Sequence, residues 1–571
     1  MTLTSPRGRK PAFLRLLLAV ALGAALGGCN WSTAPDTIFV GGPVLTVNAN
    51  NDVAQALAVR DGIITAAGSA DSVLATKGAN TRVIDLQGNT LMPGFIAAHE
   101  HPAISAVFNG AINLSGFKYK TNAEVWQALR DAVAQAPKGQ WIYAGGLDAI
   151  LTPDLKVPTR KELDAIAPDN PLVLVSQTLH SFWANSSAFA EAGIDRDTPD
   201  PGAGSYYQRD AHGELTGFVA ETRAAAPLIK ALKSPWKIYN RYVDVLDNFL
   251  SNGFTSVASL GYNVPPLMAR VAASRQFSPR IRQYFYLVEE ELNYLPDTPD
   301  TSNCFFRVMG VKLWHDGSPY TGSMYTSTPY LDSPLAHTLG IKPGSVGAAM
   351  IPEAALVEKL QKYTVGGWQV AIHSQGDASN RAVLQAINNA GPLAGPMPVV
   401  RLEHGVFMPQ DSVESLARLG ATASFHIHHI KYYGDALAHS VVGLLAAQQT
   451  LPIRSAFALS MRPTLHADSP MFPAHGFALM QTAITRQSGL GLLLNADQGI
   501  TAQQALRAMT VNGAYQLRLQ DQTGSLEVGK WADLQIVNGN PYTTPVQQLD
   551  ALKTLATYVN GKRQFSAPGW E

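Results

Sequence analysis

The chain has 571 residues, of which 46% are hydrophobic and 15% charged, and its 43 Lys and Arg balance its 43 Asp and Glu. This length allows a large catalytic domain with a smaller one beside it. With neither a basic excess nor an acidic tail, the charge pattern argues against nucleic acid as a partner. Low charge together with 48 Gly and 36 Pro indicates a loop-rich α/β protein and excludes a disordered one.

The N-terminus has the features of a targeting segment. Basic residues precede an apolar run over 16–26, which is too short to cross a bilayer as a helix but suits the core of a signal peptide. The run ends in LGGC, which resembles the bacterial lipobox, where cleavage leaves a lipidated cysteine. We therefore expect a signal peptide over 1–28, lipidation at Cys29, and a lipoprotein of the bacterial cell envelope that faces the periplasm. An ordinary signal peptide with an incidental cysteine is the alternative, and export by the Sec or the Tat route is left open.

Both ends of the remaining sequence consist of short strand-like runs. The N-terminal runs include TIFVGGPVLTV and AQALAVRDGIITAAG, and the C-terminal ones include GSLEVGKWADLQIVNG and LKTLATYVNGKRQF. Gly and Asp-Gly turns separate them, as is typical of antiparallel strands. We predict that residues 36–92 and 519–566 together form one small composite β-sandwich.

The middle of the chain alternates strand-like runs with amphipathic helical segments. Eight such runs are found, at 91–101, 255–262, 280–288, 308–317, 368–374, 399–405, 421–427 and 461–470. Eight strands with intervening helices is the count of a TIM (β/α)8 barrel. We place this barrel at 93–518 and interpret residues of about 105–250, which do not fit the array, as an insertion after barrel strand one.

Several of the 14 histidines lie at the ends of predicted barrel strands. His99 and His101 are two residues apart in an extended run, so their side chains share a face. TIM barrels place their active sites at the C-terminal ends of the strands, where groups from different strands meet. The groups at such ends are His99, His101, Lys312, His373, His404 and Asp468. Four neutral imidazoles and a carboxylate suit a divalent ion such as Zn²⁺, so this placement predicts a metal site.

Five segments of the chain carry a resemblance to a known family. PGFIAAHEHP, GVKLWHDGS, VAIHSQGDASNRAV, RLEHGVF and LHADSPMFP occur in the order seen in the amidohydrolase superfamily, and they look most like its YtcJ-like (amidohydrolase 3) branch of metal-dependent hydrolases. The insertion segment GELTGFVAE and the closing segment GSLEVGKWADLQIVNGNP also resemble that branch. The resemblance covers roughly residues 36–566.

The resemblance implies a ligand role for each strand-end histidine. It makes His99 and His101 the ligand pair of strand one, and it makes His373 and His404 the ligands of strands five and six. Asp468 becomes the strand-eight carboxylate, which touches the metal and serves as the catalytic base for the attacking water. The cofactor implied is one or two divalent ions, with Zn²⁺ as the expected metal.

Lys312 matches the strand-four lysine that several amidohydrolase subtypes carbamylate to bridge two metals. A carboxylysine supplies anionic oxygens, whereas a free ammonium only donates hydrogen bonds. An unmodified lysine paired with Asp316 is the alternative. One departure from the family pattern concerns Ala97, because the family usually has an Asp two residues before the first ligand histidine. We expect altered support of the ligands and retained metal there, with an inactive enzyme as the alternative.

Five further residues are candidates for substrate binding: His180, Trp314, Tyr320, His428 and His466. The resemblance places His180 over the active site, where it could bind substrate or stabilise an oxyanion. A structural histidine or an aromatic packing residue is the alternative at each position.

The chemistry implied is hydrolysis by a metal-activated water. A metal can lower the pKa of bound water to about 7 and polarise a carbonyl, while a carboxylate moves the proton. No Gly-x-Ser-x-Gly elbow or P-loop suggests another route. We therefore predict a hydrolase of small-molecule C–N bonds, of the amide, N-acyl or formamide-like kind, other than peptide bonds. Hydrolysis of cyclic amides, lactones or carbamates, or a non-catalytic envelope binding lipoprotein, are the alternatives, and the oligomeric state is open.

Overall fold

The computed structural model describes residues 33–202, 205–230, 235–274 and 279–570. The predicted signal peptide and Cys29 lie outside the described residues. Within the described part, the strands form three sheets, of eight, six and eight strands. No helix in that part is long and apolar enough to cross a membrane.

The strands follow the chain from the β-rich N-terminal end, through the insertion and the barrel, to the β-rich C-terminal end. They are β1 Thr37–Leu45, β2 Val53–Arg60, β3 Ile63–Gly68, β4 Arg82–Asp85, β5 Thr90–Pro93, β6 Phe95–Glu100, β7 Ile112–Asn113, β8 Ile142–Leu147, β9 Leu172–Ser176, β10 Ser181–Ala184, β11 Tyr206–Arg209, β12 Leu215–Ala220, β13 Phe254–Leu260, β14 Arg282–Leu287, β15 Phe306–Trp314, β16 Gln369–Ser374, β17 Val400–His404, β18 Thr422–Phe425, β19 Thr464–Leu465, β20 Leu534–Val537, β21 Thr554–Val559 and β22 Lys562–Ser566.

The α-helices lie mainly between the barrel strands. They are Ala70–Leu74, Pro102–Phe108, Asn122–Ala134, Arg160–Ile166, Ser186–Glu191, Glu221–Ala225, Pro235–Ser251, Pro266–Ala273, Pro334–Thr338, Glu353–Val365, Asp377–Ala390, Gln410–Arg418, His428–Ala436, Leu444–Ala447, Ile453–Ala458, Gly476–Thr485, Ala502–Met509 and Val511–Gln516. Short 3₁₀ turns occupy Glu289–Tyr294, Pro319–Thr321, Ala496–Gln498 and Val546–Ala551, and a π-helical turn occupies Leu437–Val441.

The barrel sheet confirms the predicted TIM barrel. Its eight strands run in the order β6, β13, β14, β15, β16, β17, β18 and β19, and each pairs in parallel with the next. Buried apolar side chains fill it, because parallel strands covered by helices are hidden on both faces. Each of the eight predicted runs overlaps one of these strands, and β13 and β15 begin one and two residues before their predicted runs.

Barrel strand eight is much shorter than the sequence predicts. β19 covers Thr464–Leu465, whereas the apolar run suggested 461–470. Arg462 and Asp468 have φ angles of 52° and 57°, so extended backbone cannot continue on either side. Asp468 therefore lies in the loop beyond β19 and does not close the strand.

A side chain joins the last strand region to the first. The buried Glu100 carboxylate, at the end of β6, accepts hydrogen bonds from the Ala467 and Ser469 amides at 3.1 and 2.5 Å. The His101 amide donates to the Ser469 carbonyl at 3.2 Å. The loop after β19 is thereby fixed against β6, although the two strands are not themselves paired in the sheet.

The two β-rich ends of the chain assemble into one eight-stranded sheet. Its main order is β22, β21, β20, β5, β1, β2 and β3, with β4 paired to β1. Antiparallel pairing of β20 with β5 joins the C-terminal strands to the N-terminal ones. Between β5 and β6 the chain passes into the barrel through Gly94, where a Cβ would overlap the Thr255 side chain.

The insertion after barrel strand one has its own sheet, in the order β11, β12, β10, β9, β8 and β7. Buried apolar residues on its strands, such as Val173, Val175 and Phe182, form a core separate from that of the barrel. Gln177, just after β9, donates to the carbonyls of Pro470 and Met471 at 3.1 and 2.5 Å. The insertion is therefore attached to the loop that carries Asp468.

Candidate metal centre

The histidines from barrel strands one, five and six converge at the C-terminal end of the barrel. The His99 ring centroid lies 5.3 Å from that of His101 and 4.7 Å from that of His404. The His404 ring lies 4.2 Å from His373. Asp468 Oδ1 is 2.9 Å from His101 Nε2 and 3.2 Å from His99 Nε2. The structure thus brings all four predicted ligand histidines and Asp468 into one buried cluster.

The orientation of His99 is set by a carboxylate that sequence reasoning missed. Glu403 Oε2 lies 2.5 Å from His99 Nδ1, and both side chains are fully buried. Burial raises the pKa of Glu403, but the Arg401 guanidinium at 3.0 Å and His99 outweigh it and hold that pKa at about 2. The ionised carboxylate accepts the Nδ1 proton, so His99 presents its Nε2 lone pair to the cluster, which is the form that binds a metal.

The polar atoms of the cluster fit a bound cation. His99 Nε2, His101 Nδ1 and Asp468 Oδ1 are buried, and the described residues supply no hydrogen-bond partner for them. The approaches of His99 Nε2 and His101 Nε2 to Asp468 Oδ1 therefore lack hydrogen-bond geometry. Ligand atoms of His99, His404, His466 and Asp468 all lie within 4.8 Å of one another. Because buried polar atoms are normally paired, this convergence of imidazole nitrogens and a carboxylate suits a divalent ion.

The charge states in the cluster are those of metal ligands. Burial lowers the pKa of His101, and it holds the pKa values of His373 and His404 well below their usual range, so these imidazoles are neutral. Burial alone raises the pKa of Asp468, but His404 and His101 outweigh it and keep that pKa well below its ordinary value. Neutral imidazoles beside an ionised carboxylate are the protonation states that bind metal.

Lys312, at barrel strand four, faces the same cluster. Its Nζ is buried without a hydrogen-bond partner among the described residues and lies 5.2 Å from the centre of the Trp314 ring. Burial lowers the pKa of Lys312 to about 8. The alternative pairing with Asp316 is not observed, since Asp316 accepts the amides of Gln375 and Gly376, both at 2.9 Å.

Ala97 is buried in the barrel core. Its side chain is 1% exposed and belongs to the main apolar cluster, and its backbone is paired with Val257 of β13. Although the Asp that the family usually has at this position is absent, His99 still has a carboxylate partner, because Glu403 of strand six binds its Nδ1.

His426 is a member of the cluster that sequence reasoning also missed. It follows β18 directly, and its Nε2 lies 3.0 Å from the carbonyl of Ala467. A carbonyl can only accept, so Nε2 carries the proton and Nδ1, 3.9 Å from Asp468 Oδ2, presents a lone pair. Its position near the end of the predicted run 421–427 was the available signal.

His466 lies among the ligands and not in a substrate cavity. Its ring stacks on His99 with centroids 4.3 Å apart and planes 6° apart. Its Nε2 lies 3.3 Å from His404 Nδ1, and Ser424 Oγ contacts its Nδ1 at 2.8 Å. The short β19 brings His466 into this position directly after the strand.

His428 lies apart from the metal cluster. It begins the helix His428–Ala436 and is not part of strand seven, which ends at Phe425. Thr482 Oγ1 is its hydrogen-bond partner at 3.4 Å. His428 does not line the cavity described next.

Two of the three remaining substrate-binding candidates lie at a cavity of about 670 Å³, here called the cleft, between the insertion and the loop after β15. His180 and Tyr320 line it. Tyr320 OH lies 2.7 Å from His429 Nδ1, and His429 packs against His426. Trp314 is half-buried against Lys312 and Tyr262.

His180 and Glu221 are joined by two hydrogen bonds in the wall of the cleft. His180 Nδ1 lies 2.8 Å from Glu221 Oε2, and the Glu221 amide donates to the His180 carbonyl at 2.8 Å. Glu221 has a φ of 66°, a left-handed conformation that is uncommon for this residue type. Burial lowers the pKa of His180, but Glu221 outweighs it and the net shift is upward. The pair thus favours the protonated form of an imidazole in the wall of the cleft.

Comparison with known proteins agrees with this architecture. The model of the amidohydrolase family matches residues 82–565. The chain is 27% identical to the N-substituted formamide deformylase of Arthrobacter pascens, over 94% of this chain and 99% of that protein. It is 25% identical to the putative amidohydrolase YtcJ of Bacillus subtilis (strain 168), over 92% of this chain and 98% of that protein.

A solved structure has the same fold. An uncharacterized metal-dependent hydrolase from Pyrococcus horikoshii OT3 is 24% identical, has a TM-score of 0.71, and is matched over 90% of this chain and 99% of that one. The family match covers most of the sequence and includes the barrel with its strand-end histidines. This chain belongs to the amidohydrolase family.

Proposed function

We propose that the chain is a metal-dependent amidohydrolase that cleaves a C–N bond of a small N-acyl or formamide-like compound with an activated water. The observation that carries this proposal is the set of buried, partnerless ligand atoms around His99 and Asp468. The similarity to a protein named N-substituted formamide deformylase supports the bond type.

The residues that would hold the ion are His99, His101, His373, His404 and Asp468. Their borderline nitrogen donors and single carboxylate favour Zn²⁺ over Mg²⁺ or Ca²⁺, which prefer oxygen ligands. Such an ion would lower the pKa of a bound water to about 7 and polarise the substrate carbonyl.

Asp468 is the residue that moves the proton. It accepts a proton from the attacking water as the water oxygen bonds to the carbonyl carbon, and it returns that proton to the leaving nitrogen as the C–N bond breaks. The products are a carboxylic acid, or formate, and an amine. Glu100 is a positioning residue, because it fixes the Ala467 and Ser469 amides on both sides of Asp468.

We also propose that Lys312 reacts with carbon dioxide. The neutral amine nitrogen bonds to the carbon of CO₂ and releases a proton, which leaves a carbamate whose anionic oxygens would serve as metal ligands. The buried, partnerless Nζ beside the histidines supports this step. Mass spectrometry of the native protein after incubation with ¹³C-bicarbonate should show added carboxylate in the wild type and none in Lys312→Met.

Metal analysis of the purified protein tests the main proposal. We expect at least one equivalent of Zn²⁺ after reconstitution, and loss of metal and of amidase activity in His99→Ala. His212→Ala, which removes an exposed insertion histidine, is the matched control and should keep both. A metal content well below one equivalent in the wild type would overturn the proposal.

A panel of substrates distinguishes the proposed amide hydrolysis from the hydrolysis of lactones, cyclic amides or carbamates. Simple formamides and N-acyl amines should be cleaved faster than lactones, cyclic amides and carbamates of similar size. Preferential turnover of a lactone or carbamate would move the proposal to those bonds. Absence of turnover across the whole panel by metal-loaded protein would favour the envelope binding lipoprotein.

We further propose that the protein is an envelope lipoprotein anchored through Cys29. Support comes from the apolar run over 16–26 and the LGGC that follows it. Labelling with a palmitate analogue in a bacterial host should mark the wild type and not Cys29→Ala. Equal labelling of both would contradict lipidation at this cysteine.

A further inference from the structure

One wall of the cleft is built by three neighbouring strands of the insertion sheet. β10, β12 and β11 lie side by side there in antiparallel pairs. Side chains alternate between the two faces of a strand, so every second residue of each strand points to the same side. One face packs on the core of the insertion through Phe182, Tyr207 and Val219. The residues between these on the strands line the cleft.

Aromatic side chains stand on the face that borders the cleft. Trp183 of β10, Phe218 of β12 and Tyr206 of β11 all line this cavity. The centroid of the Phe218 ring lies 5.7 Å from that of Trp183 and 6.1 Å from that of Tyr206. These three residues are here called the aromatic wall. Their rings extend across all three strands, and such a surface suits contact with a flat apolar group.

The aromatic wall is accessible from the cleft. Tyr206 is 41% exposed, and Phe218 is half-buried. Val157, which also lines the cleft, is 42% exposed. Its segment lies close to β12, because a Cβ at Gly217 would be 3.1 Å from the Arg160 amide nitrogen. Single exposed apolar residues are common on a protein surface, but several together in a concave cavity indicate a binding site.

Two small residues beside the aromatic wall leave room for a ligand. Ser181 of β10 is paired with Ala220 of β12, which is in turn paired with Tyr206 of β11. Both small residues line the cleft. Ser181 directly follows His180 in the chain, and Ala220 directly precedes Glu221. The two small side chains therefore form the floor of a recess between the aromatic wall and the His180–Glu221 pair.

The side of the cleft that faces the barrel is packed against the metal cluster. Tyr320 lines the cleft, and its hydroxyl lies 2.7 Å from His429 Nδ1. The His429 ring centroid is 4.3 Å from that of His426, and His426 Nδ1 is 3.9 Å from Asp468 Oδ2. Two histidines thus connect this wall of the cleft to the carboxylate of the metal cluster.

His180 relates the recess to the same carboxylate through charge. Burial lowers the pKa of His180, whereas Glu221 and, less strongly, Asp468 raise it. Asp468 therefore lies within electrostatic range of the imidazole that borders the recess. A substrate with its amide at the metal cluster could extend one arm into the recess.

We propose that the recess binds a flat aryl group on one arm of the substrate. This rests on the proposed function for the position of the amide, which would lie at the metal cluster. The aromatic wall selects the arm, because its rings stack on a flat group and not on a branched or puckered one. The substrate class is then an N-acyl or formamide-like amide with an aryl arm.

Binding of acetophenone tests the recess without any turnover. Cyclohexyl methyl ketone has the same carbon skeleton without the flat ring and is its matched control. By ligand-observed NMR on the metal-loaded protein, we expect acetophenone to bind about three- to tenfold more tightly, because only its ring can stack. Equal binding of the two ketones, or no binding of acetophenone, would overturn the proposal.

Tyr206→Ala removes the most exposed ring of the aromatic wall. We expect acetophenone binding to weaken about three- to tenfold through the lost ring contact. Tyr294→Ala is the matched control, because Tyr294 is 43% exposed and does not line the cleft, and it should bind as the wild type does. The proposal fails if Tyr206→Ala and the wild type bind acetophenone equally.

Ser181→Leu fills the floor of the recess. This variant should lose acetophenone binding while its circular dichroism spectrum stays that of the wild type. Ala190→Leu adds the same side chain at an exposed position of the insertion outside the cleft and should keep full binding. Acetophenone binding that survives in folded Ser181→Leu would place the probe elsewhere and contradict the proposal.

Kinetics separate this proposal from the proposed function. The ratio of kcat/KM for N-(2-phenylethyl)formamide to that for N-methylformamide should fall about three- to tenfold in Tyr206→Ala and stay unchanged in Tyr294→Ala. An unchanged ratio in Tyr206→Ala would remove the aromatic wall from recognition of the arm. A protein that binds acetophenone through Tyr206 and cleaves no amide would contradict the proposed hydrolysis alone.

Discussion

Two buried polar clusters lie at opposite ends of the barrel strands, and they differ in how fully their atoms are paired. At the start of β14, Arg282 binds Asp533 of the β-rich region through two hydrogen bonds of 2.7 and 3.0 Å. Arg282 also donates to the Cys304 carbonyl, and Asp533 also accepts the Asn560 amide, both at 2.9 Å. At the other end, the His99 and Asp468 cluster is somewhat less buried, with Asp468 18% exposed, and it leaves lone pairs without partners among the described residues.

The difference separates a structural cluster from a functional one. A buried charge with every hydrogen bond made contributes to one fixed arrangement of the barrel and the β-rich region. A buried group with unpaired atoms lowers stability unless a ligand completes it. This agrees with the division of TIM barrels into a C-terminal face for chemistry and an N-terminal face for stability.

The largest expected effect is that of Asp468→Asn. The amide cannot accept and return the proton, so kcat/KM should fall by about 10⁴-fold, the upper end for general acid–base catalysis. Steady-state kinetics on a formamide measures this, with His212→Ala as the control and circular dichroism as the check on folding. Activity within tenfold of the wild type would remove Asp468 from the proton transfer.

Arg282→Met breaks the paired cluster. Because it leaves Asp533 buried without its counter-charge, the free energy of unfolding should fall by about 3 to 5 kcal/mol. Activity per folded molecule should stay close to that of the wild type. Urea unfolding measures the loss, and Arg282→Met/Asp533→Leu should recover most of it. A variant as stable as the wild type would mean that the ion pair contributes nothing.

His180→Gln addresses the wall of the cleft. If protonated His180 stabilises the developing oxyanion, kcat/KM should fall by about 10²-fold. Because the pKa of His180 is raised, its protonated form persists above the usual range and is lost as pH rises through that raised pKa. In Glu221→Gln the alkaline limb of the kcat/KM profile should therefore move to lower pH. If the alkaline limb of the profile does not move in Glu221→Gln, the limb reports the titration of a group other than His180.

His466→Ala should have the smallest of these effects. Loss of the contact with His404 should weaken Zn²⁺ binding about 10- to 100-fold, as for other residues that orient or supplement ligands. Competition with a chromophoric chelator measures the dissociation constant. His428→Ala removes a buried histidine outside the cluster and is the matched control. Equal affinities in wild type and His466→Ala would limit His466 to packing.

The barrel and most of the residues that converge at its C-terminal end could be predicted from the sequence alone. Apolar runs ending in polar residues predict parallel strands and the face at which His99, His373 and His404 meet, because that face is common to all strands of a barrel. The short β19 was not predictable from apolar content, since positive φ angles at Arg462 and Asp468 end it. Such conformations depend on the tertiary contacts made by Glu100 and His101.

Long-range pairing explains the other omissions. Glu403 holds His99 across 304 positions of the sequence, and no local pattern marks that contact. His426 was visible at a strand end, but only the fold shows that its Nε2 is bound to the Ala467 carbonyl and its Nδ1 is turned to Asp468.

The two hydrogen bonds from Gln177 to the carbonyls of Pro470 and Met471 affect how this protein could be re-engineered. The insertion and the segment after Asp468 form a single mechanical unit, although nearly three hundred residues separate them in the chain. If the insertion alone were replaced by that of a relative, its contact with the segment after Asp468 would no longer match. A successful exchange would therefore replace residues 469–474 together with the insertion, although the two segments are far apart in the sequence.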